Sequence, residues 1–207
     1  MKITAAFSFC LIFISVGGDV SKEIPDYKDV DTKELLAWKA PEELENDYPY
    51  YLSGYDEDNS PIWISEMGKW DTRKSVESGP QREKNFKKYI LQFLKRCSES
   101  VHSKSTSAIP VTEFNLIIDM AGYSVRQTAT PNAIGMVLWM ARQFEQAFGD
   151  NLKLGYIVNA NFVFTSVWNL MKPILGANIY KIDVFGSNKD RWIPAILKTF
   201  PKSQIPA

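Results

Sequence analysis

Few side chains in this sequence are suited to nucleophilic or metal-dependent chemistry. The 207 residues include one histidine, His102, and two cysteines, Cys10 and Cys97. A serine or cysteine hydrolase needs a histidine base held by an acidic group, and a structural zinc site needs a full set of cysteine and histidine ligands. Cys97 falls on the apolar stripe of a predicted helix, where a cysteine is normally a core residue. The sequence therefore predicts neither a hydrolase centre nor a zinc site.

The short motifs of common catalytic sites are missing as well. The sequence has no G-x-S-x-G nucleophile elbow, no G-x-x-x-x-G-K-[ST] phosphate loop and no G-x-G-x-x-G dinucleotide turn. Glu66 and Asp119 lie near the ends of predicted strands, but the sequence does not place them opposite each other as an acid and a base. We therefore expect a protein that is not an enzyme and has no metal or organic cofactor.

Charge and composition describe a globular chain without an overall electric field. Lysine plus arginine and aspartate plus glutamate both number 24, and 45% of the residues are hydrophobic. Equal numbers of opposite charges give no long-range attraction to a polyanion, so we predict no nucleic-acid partner. Any contact with a membrane would have to come from a local patch or from inserted apolar side chains.

The first residues of the chain have the pattern of a secretory signal peptide. One lysine precedes an apolar run over residues 3–16, and Gly17 and Gly18 follow it. Such a run is too short for a comfortable membrane span and is typical of a cleaved leader. We expect a signal peptide at residues 1–18, a linker and the start of a helical lead-in at residues 19–40, and the main domain at residues 41–207. The alternative is a buried N-terminal helix or an incorrectly predicted gene start.

The middle of the chain predicts a hairpin and then an amphipathic helix. Residues 48–54 and 61–67 have strand patterns, with a polar turn between them. In the second strand, Ile62 and Ile64 should face one way and Trp63 the other. From residue 86 to residue 101, apolar side chains recur at helical spacing, which predicts a helix with one buried face.

Beyond residue 110, strand and helix patterns alternate. Apolar runs at residues 114–120 and 154–158 suit strands buried on both faces, and residues 180–185 indicate another strand. A helix should begin at Thr130-Pro131 and end at Gly149, and a last helix should begin at Asp190. The buried stripe of the first of these helices is predicted to be Ile134, Val137, Leu138, Ala141, Phe144 and Phe148. The alternation predicts an α/β fold with a mixed, mainly parallel sheet backed by helices.

The segment Phe162–Leu175 is apolar on nearly all sides. A helix with two apolar faces either buries both or buries one and presents the other to a ligand or a membrane. The residues alone leave open whether this segment is a fully buried structural helix or a helix that presents one face to a ligand or a membrane.

Four stretches of the chain carry a family likeness. Residues 55–63 are similar to a D-x-D-G-R-P-V hairpin, and residues 116–122 to a central D-x-x-G strand. Residues 156–160, and then 171–175, are similar to an I-x-N-A-P strand and a K-P-F-L helix end. Residues 179–186, with Ile205-Pro206, are similar to a closing strand and a terminal L-P pair. In this order they resemble the CRAL-TRIO domain of retinaldehyde-binding, tocopherol-transfer and yeast-type phosphatidylinositol/phosphatidylcholine exchange proteins.

The resemblance implies an apolar lipid pocket in the fold, closed by a mobile gating helix at Phe162–Leu175. A long lipid chain can be held there without a charged anchor, since each buried CH₂ contributes about 0.8 kcal/mol. We expect the pocket to be lined by Leu116, Ile118, Tyr156, Val158, Phe164, Val167, Trp168, Met171, Ile182 and Val184.

The resemblance also suggests head-group contacts at Lys181 and Asp150. Lys181 matches a lysine that contacts an inositol phosphate in the exchange proteins, and Asp150 falls where they carry a glutamate. A solvated lysine at a strand end is the alternative for Lys181. Phe114 and Leu116 stand where the exchange proteins have hydroxyl side chains, which argues against phosphatidylinositol. Family domains also continue past the Ile-Pro pair, so we expect a domain truncated at its C-terminus, as in a fragment or an incomplete gene model.

The function implied by the resemblance is binding and transfer of a single hydrophobic lipid, of phospholipid or isoprenoid type, between membranes without chemical turnover. The protein would be a monomer in transient contact with a membrane surface. It would be secreted if the leader is genuine, and otherwise cytoplasmic with peripheral membrane contact. An alternative is an interaction or regulatory protein that keeps the fold but has lost exchange. An enzyme acting on lipids would need a nucleophile and a base that the sequence does not offer.

Overall fold

A five-stranded sheet forms the centre of the protein in a computed structural model, which describes residues 26–149 and 151–206. The strands are β1 (Tyr50–Tyr55), β2 (Pro61–Ser65), β3 (Phe114–Asp119), β4 (Leu152–Val158) and β5 (Ile182–Val184). The described α-helices are α1 (Thr32–Ala37), α2 (Glu42–Asp47), α3 (Thr72–Glu77), α4 (Pro80–Ser100), α5 (Pro131–Phe148), α6 (Phe162–Leu175) and α7 (Lys189–Thr199). The signal peptide predicted at residues 1–18 lies outside the described residues.

The strands lie side by side in the order in which they occur in the chain. β1 and β2 form an antiparallel hairpin, and β2 to β5 are parallel. Crossovers between parallel strands are right-handed. When each new strand is added on the same side of the previous one, every crossover helix therefore lies on the same face of the sheet. Helices α4 to α6 consequently pack on one face of the sheet, and α7 packs on the other. The predicted α/β fold with a mixed, mainly parallel sheet is confirmed.

The two faces of the sheet bury two separate apolar cores, because side chains alternate along each strand. Trp63 and Leu116 belong to the larger core, together with side chains of α4, α5 and α6. Ile62 and Ile64 belong to the smaller core, which is closed by Phe200 and its neighbours at the end of α7. The opposite facing predicted for Ile62 and Trp63 is therefore confirmed.

Helix α4 is anchored by one buried stripe. It begins with Pro80, whose fixed φ and missing N–H suit the first position of a helix. Phe86, Ile90 and Phe93 are fully buried, and Cys97 lies among them, as predicted for a core residue. Among the described residues, no helix is both long enough and apolar enough to span a membrane.

Three local predictions are wrong. In α5, Val137, Ala141, Phe144 and Phe148 are buried as predicted, but Ile134 is 36% exposed and Leu138 is half-buried. Met136 and Met140 are buried as well, although they were not predicted. Helix α7 is capped by Asn188, whose side chain accepts a hydrogen bond from the Asp190 N–H, and not by Asp190 itself. The last strand is shorter than predicted because the chain forms a 3-10 turn over Gly176–Lys181 before β5.

The outer edge of β1 is covered by a segment close to the end of the described chain. The Tyr55 N–H donates to Gln204 Oε1 at 3.1 Å, and the Ser53 hydroxyl donates to the Gln204 carbonyl at 2.6 Å. The pairing of β1 with β2 is irregular between Leu52 and Gly54. A Cβ at Gly54 would overlap the Gln204 side chain, so glycine permits this close approach.

Candidate functional site

A cavity lies between the helical face of the sheet and helices α5 and α6. It is lined by Met67, Trp70, Thr72, Leu116, Ile118, Met120, Tyr123, Val137, Met140, Ala141, Phe144, Phe148, Leu152, Gly155, Tyr156, Ile157, Phe164, Val167, Trp168, Met171, Leu175, Asn178 and Ile182. Its volume is about 80 Å³. Since one water needs about 10–15 Å³ by this measure, the cavity accommodates several waters but not a whole phospholipid.

The cavity is long compared with its volume. The lining begins at Leu152, the first residue of β4. It ends at Met120, which lies beside Val158, the last residue of β4, because the Met120 N–H donates to the Val158 carbonyl at 2.9 Å. At about 3.3 Å per residue, this distance along the strand is about 20 Å. A slot of this shape suits an extended apolar chain better than a compact polar molecule.

Alternate residues of the central strands form the floor of the cavity. Leu116 and Ile118 of β3 and Ile157 of β4 contribute side chains on the cavity face. Gly155 lies between Leu116 and Ile182, and a Cβ there would come within 2.9 Å of Ile182 Cγ1. The absence of a side chain at Gly155 therefore lets β5 place Ile182 against the cavity.

Eight of the ten predicted lining residues border the cavity, and Val158 and Val184 do not. Val158 belongs to the smaller core on the opposite face, and Val184 is 40% exposed on the edge strand. Tyr156 borders the cavity, but its side chain points to the opposite face, where its hydroxyl lies 2.8 Å from the Thr199 hydroxyl. A strand has a period of two residues, so the predicted register of β4 was wrong by one residue.

The inner face of α6 forms the roof of the cavity. The Asn161 side chain caps the helix by accepting a hydrogen bond from the Phe164 N–H at 3.0 Å, and it donates to the Tyr123 carbonyl at 2.6 Å. The rings of Phe164 and Trp168 stack with centroids 6.0 Å apart, and Met171 continues the row. Asn161 therefore fixes the position of the first turn of α6, and with it the position of Phe164 and Trp168 in the cavity.

The outer face of α6 borders a groove that is open to solvent and has a volume of about 440 Å³. The groove is lined by Val125, Thr128, Ile134, Val137, Leu138, Phe162, Val163, Ser166, Val167 and Leu170. Phe162 is 81% exposed and Leu170 is 53% exposed. Val167 borders both the cavity and the groove. Helix α6 is thus an apolar partition between a buried space and the surface, which matches the two apolar faces seen in its sequence.

Both ends of α6 have unusual backbone features. Asn159, just before the helix, has φ +55°, and its side chain donates to Asp119 Oδ1 at 2.8 Å. Pro173 lies within the last turn, where it removes one helical hydrogen bond. Gly176 follows with φ +54° and ψ −134°, a conformation that favours glycine. Helix α6 is therefore preceded by a residue held through its side chain and ends at a proline and a glycine.

Three polar side chains among the described residues reach the cavity, and all three are uncharged. Thr72 and Tyr123 lie near the Met120 end, and Asn178 lies near the Leu152 end. Burial raises the pKa of the Tyr123 phenol to about 12, although a hydrogen bond with Thr128 partly offsets the effect. Tyr123 is therefore a neutral phenol at physiological pH, and the whole lining is uncharged.

Of the two residues predicted to contact a head group, Lys181 does not line the cavity. The Lys181 ammonium donates to the Leu152 carbonyl at 2.6 Å and lies 3.7 Å from a Glu113 carboxylate oxygen. The protein itself therefore supplies partners for this charge, close to the Leu152 end of the cavity. Asp150 lies outside the described residues.

A buried carboxylate, not noticed in the sequence, holds the starts of the central strands together. Asp56 accepts hydrogen bonds from the Ser60 N–H at 2.8 Å, the Asn115 amide at 2.9 Å and the Lys153 ammonium at 2.8 Å. Burial alone would raise the pKa of the Asp56 carboxyl, but Lys153 and Asn115 more than offset this and lower it. The sequence does not predict the ion pair of Asp56 and Lys153, because the two residues are far apart in the chain and only the pairing of the strands brings them together.

The two carboxylates considered as an acid–base pair have structural partners. Glu66 forms an ion pair with Lys69, and Asp119 Oδ1 accepts from the Ala121 N–H at 2.8 Å as well as from Asn159. Among residues 26–149 and 151–206, no group of three or more histidine, cysteine, aspartate or glutamate side chains is arranged to hold a metal ion.

Comparison with known proteins identifies this arrangement. The model of the CRAL/TRIO domain family matches residues 45–207, which include every strand, the cavity and α6. The chain belongs to the CRAL/TRIO domain family. Its fold is also similar to that in the crystal structure of Sfh5, with a TM-score of 0.57 and 15% identity over 79% of this chain and 55% of that one.

The curated relatives of this CRAL/TRIO chain are distant and longer. It is 28% identical, over 86% of its length, to the phosphatidylinositol/phosphatidylcholine transfer protein SFH14 of Arabidopsis thaliana, of which it spans 30%. It is 24% identical to the SEC14 cytosolic factor of Eremothecium gossypii and to that of Schizosaccharomyces pombe, over 77% of its length, and it spans 50% and 54% of them. The chain thus spans about half or less of each of these relatives.

Proposed function

We propose that this CRAL/TRIO chain binds a single hydrophobic lipid in the cavity under α6 and transfers it between membranes without chemical change. The observation that carries the proposal is the position of α6, which has one apolar face on the cavity and the other on an exposed groove. The name of one curated relative, SFH14 of Arabidopsis thaliana, describes phosphatidylinositol/phosphatidylcholine transfer by that protein and supports a lipid as the ligand.

Binding would be driven by the removal of the lipid chain from water. Each CH₂ that the cavity covers contributes about 0.8 kcal/mol, so an extended chain along the slot of β4 gains affinity without any ionic contact. A volume of about 80 Å³ does not admit a whole lipid, so α6 has to move outward during loading. Pro173 and Gly176 are the points about which we expect this movement.

Exchange with a membrane would use the outer face of α6. Phe162, Leu170 and Val125 are more than half exposed, and they give an apolar surface that can enter the edge of a bilayer. The same helix would then present its inner face to lipid chains as it moves away from the sheet. In this scheme contact with a membrane and opening of the cavity are one event.

Chemical turnover of the lipid is not part of the proposal. The polar side chains that reach the cavity are Thr72, Tyr123 and Asn178, and the described residues that line it include no carboxylate and no imidazole. Glu66 and Asp119 are occupied by partners at the ends of strands.

The test is native mass spectrometry of the purified chain after incubation with liposomes of mixed lipids, followed by lipid extraction. We expect one bound lipid per chain, and release of that lipid to acceptor liposomes in a fluorescence transfer assay. A folded chain that takes up no lipid would refute the proposal and favour an interaction protein that has kept the fold. Loss of the lipid mass with formation of a smaller product would show turnover.

A further inference from the structure

The outer groove beside α6 is an apolar surface that residues 26–149 and 151–206 leave uncovered. None of the residues that line it is charged. Phe162 is 81% exposed, and Val125 and Leu170 are more than half exposed. Exposed apolar side chains that form one contiguous surface indicate a binding surface.

The sequence contains a matching uncharged segment, residues 3–16, outside the described residues. At helical spacing, Thr4, Ser8 and Ser15 recur on one side of this segment. Phe9 and Phe13 recur on the other side. A segment with this pattern can place its aromatic side in an apolar groove and keep its hydroxyls in water. Because neither surface carries a charge, no ionic group would lose its hydration on contact.

The described chain begins beside the helix that forms one wall of the groove. Asp26 accepts a hydrogen bond from the Gln143 amide at 2.9 Å, and the Tyr27 N–H donates to Gln143 Oε1 at 2.8 Å. Along α5, Gln143 lies about 14 Å from Ile134, a residue of the groove. Residues 17–25 join the segment to Asp26 and can extend about 30 Å. This connection is long enough to cross α5, which is about 10 Å wide.

Gly135 lies on the ridge of α5 that the connection has to cross. At helical spacing it falls between the side of α5 that carries Ile134 and the side that carries Gln143. Glycine inside a helix destabilises it relative to alanine. A Cβ at Gly135 would nevertheless have no heavy atom within 4 Å among the described residues, so their packing does not require glycine. A second piece of chain lying over α5 would use the absence of a side chain there for close approach.

We infer that residues 3–16 stay on the chain and pack in the outer groove, where they cover the apolar face of α6. This inference takes the alternative to a cleaved leader. Its consequence for exchange rests on the proposed lipid transfer: a segment that covers Phe162 and Leu170 holds α6 against the cavity until a membrane replaces it. The segment and the bilayer thus compete for the same face of α6.

The test is a disulfide between Cys10, inside the segment, and a cysteine placed in the groove by Ser166→Cys. A disulfide requires Cα atoms within about 7 Å of each other. Thr165→Cys is the matched control, because both hydroxyls donate to the carbonyl four residues earlier and both side chains are exposed. Only Ser166 lines the groove. Cys97 is fully buried and does not compete for oxidation.

The full chain is produced in cultured eukaryotic cells, and its intact mass shows whether residues 1–18 are retained. It is loaded from vesicles of phosphatidylcholine and phosphatidylinositol, reduced, and then oxidised at low protein concentration. We expect residues 1–18 to be retained and the intramolecular disulfide to form at least about tenfold faster in Ser166→Cys than in Thr165→Cys, since the packed segment raises the effective concentration of Cys10. The disulfide should abolish transfer to acceptor liposomes, and a reducing agent should restore it.

Three results would overturn the inference and leave the lipid-transfer function standing: a mature chain without residues 1–18, equal disulfide formation in the two variants, or disulfide-linked dimers in place of the intramolecular product. Transfer by the oxidised chain at the reduced rate would overturn the competition between the segment and the bilayer. A chain that forms the expected disulfide but neither retains nor transfers lipid after reduction would overturn the lipid-transfer function and leave the packing of the segment.

Discussion

Replacement of Trp168 by aspartate should abolish lipid retention. Trp168 is 6% exposed, and its indole lies in the roof of the cavity, stacked on Phe164. The carboxylate would have no cationic partner among the described lining residues, so it would take up a proton, and burying the resulting polar group costs about 1–3 kcal/mol. The lost indole would also uncover two or three lipid methylenes, at about 0.8 kcal/mol each. Together these effects amount to about 3–5 kcal/mol, a loss of affinity of at least about a hundredfold.

The control for this variant is Leu170→Asp, which introduces the same carboxylate about half a turn further along α6, on its other face. Leu170 lines the outer groove and not the cavity, and it is already 53% exposed. We expect Leu170→Asp to retain lipid at the normal level but to slow transfer to acceptor liposomes, because its charge opposes entry into the bilayer edge. Trp168→Asp should fail at the retention step itself.

The assay is native mass spectrometry for loading, fluorescence transfer for exchange, and circular dichroism for folding. Normal loading of a folded Trp168→Asp chain would refute the assignment of the cavity. Loss of loading in both variants would show that the two faces of α6 are not separate in function. If Trp168→Asp unfolds the chain, the Ala141 variant described next tests the same cavity without a buried charge.

Three further predictions concern the cavity and the core. Ala141→Phe should fill the cavity from α5 and reduce lipid loading, with the melting temperature unchanged or raised; normal loading would contradict it. Asp56→Ala should lower the free energy of unfolding in urea at pH 7 by about 1–3 kcal/mol, because the hydrogen bonds of Asp56 are lost while Lys153 keeps its ion pair with Asp58. The pKa of Asp56 is lowered by folding, so its contribution is present above about pH 4 and lost as the pH falls further, and the variant should approach the unchanged chain there. The Tyr123 phenol has a pKa of about 12 in the folded chain, whereas a tyrosine in the unfolded chain ionises near pH 10. The free energy of unfolding should therefore fall between pH 10 and pH 12, and it should fall less in Tyr123→Phe.

Each of these three has its own control. Ile134→Phe adds bulk at a surface position of α5 and should leave loading unchanged. For Asp56, an equal loss of stability at pH 7 and pH 3 would show that the hydrogen-bonded carboxylate is not the cause. For Tyr123, the same alkaline decline in Tyr123→Phe as in the unchanged chain would assign the effect to the other buried tyrosines, such as Tyr89.

Sequence patterns predicted the elements and their order but not which face of a buried strand meets the cavity. Residues 154–158 are apolar without interruption, so nothing in them distinguishes Tyr156 and Val158 from Gly155 and Ile157. The choice depends on α7, which supplies Thr199 and Phe200 as partners for Tyr156 on the far face. Those contacts join residues more than forty positions apart, and a local pattern does not contain them.

Helix α5 shows a similar limit. Ile134 and Leu138 were predicted as core because they are large and apolar, yet the structure uses Met136 and Met140. Only these two positions of the predicted stripe differ, because Ile134 and Leu138 lie beside the outer groove next to α6. Apolar residues on two sides of a helix give the sequence no means of ranking its faces.

The polar groups of the site were the least predictable. Lys181 was singled out by its match to a family position, whereas Asn178, three residues earlier, gave no signal because its turn was not recognised. A 3-10 turn places Asn178 against the cavity, and Lys181 then reaches back to the Leu152 carbonyl. Thr72 likewise reaches the cavity only because the segment after β2 folds back over the sheet.

The hydrogen bonds of Gln204 to β1 also bear on the behaviour of the protein at high concentration. A sheet whose edge strand has free N–H and C=O groups is a template for pairing with another chain, and such pairing leads to aggregates. Gln204 occupies part of that edge at Tyr55 and Ser53, and β5, at the other edge, is only three residues long. Both borders of the sheet are thus poor templates, so the chain can keep an apolar groove open to solvent without the added hazard of strand-to-strand association.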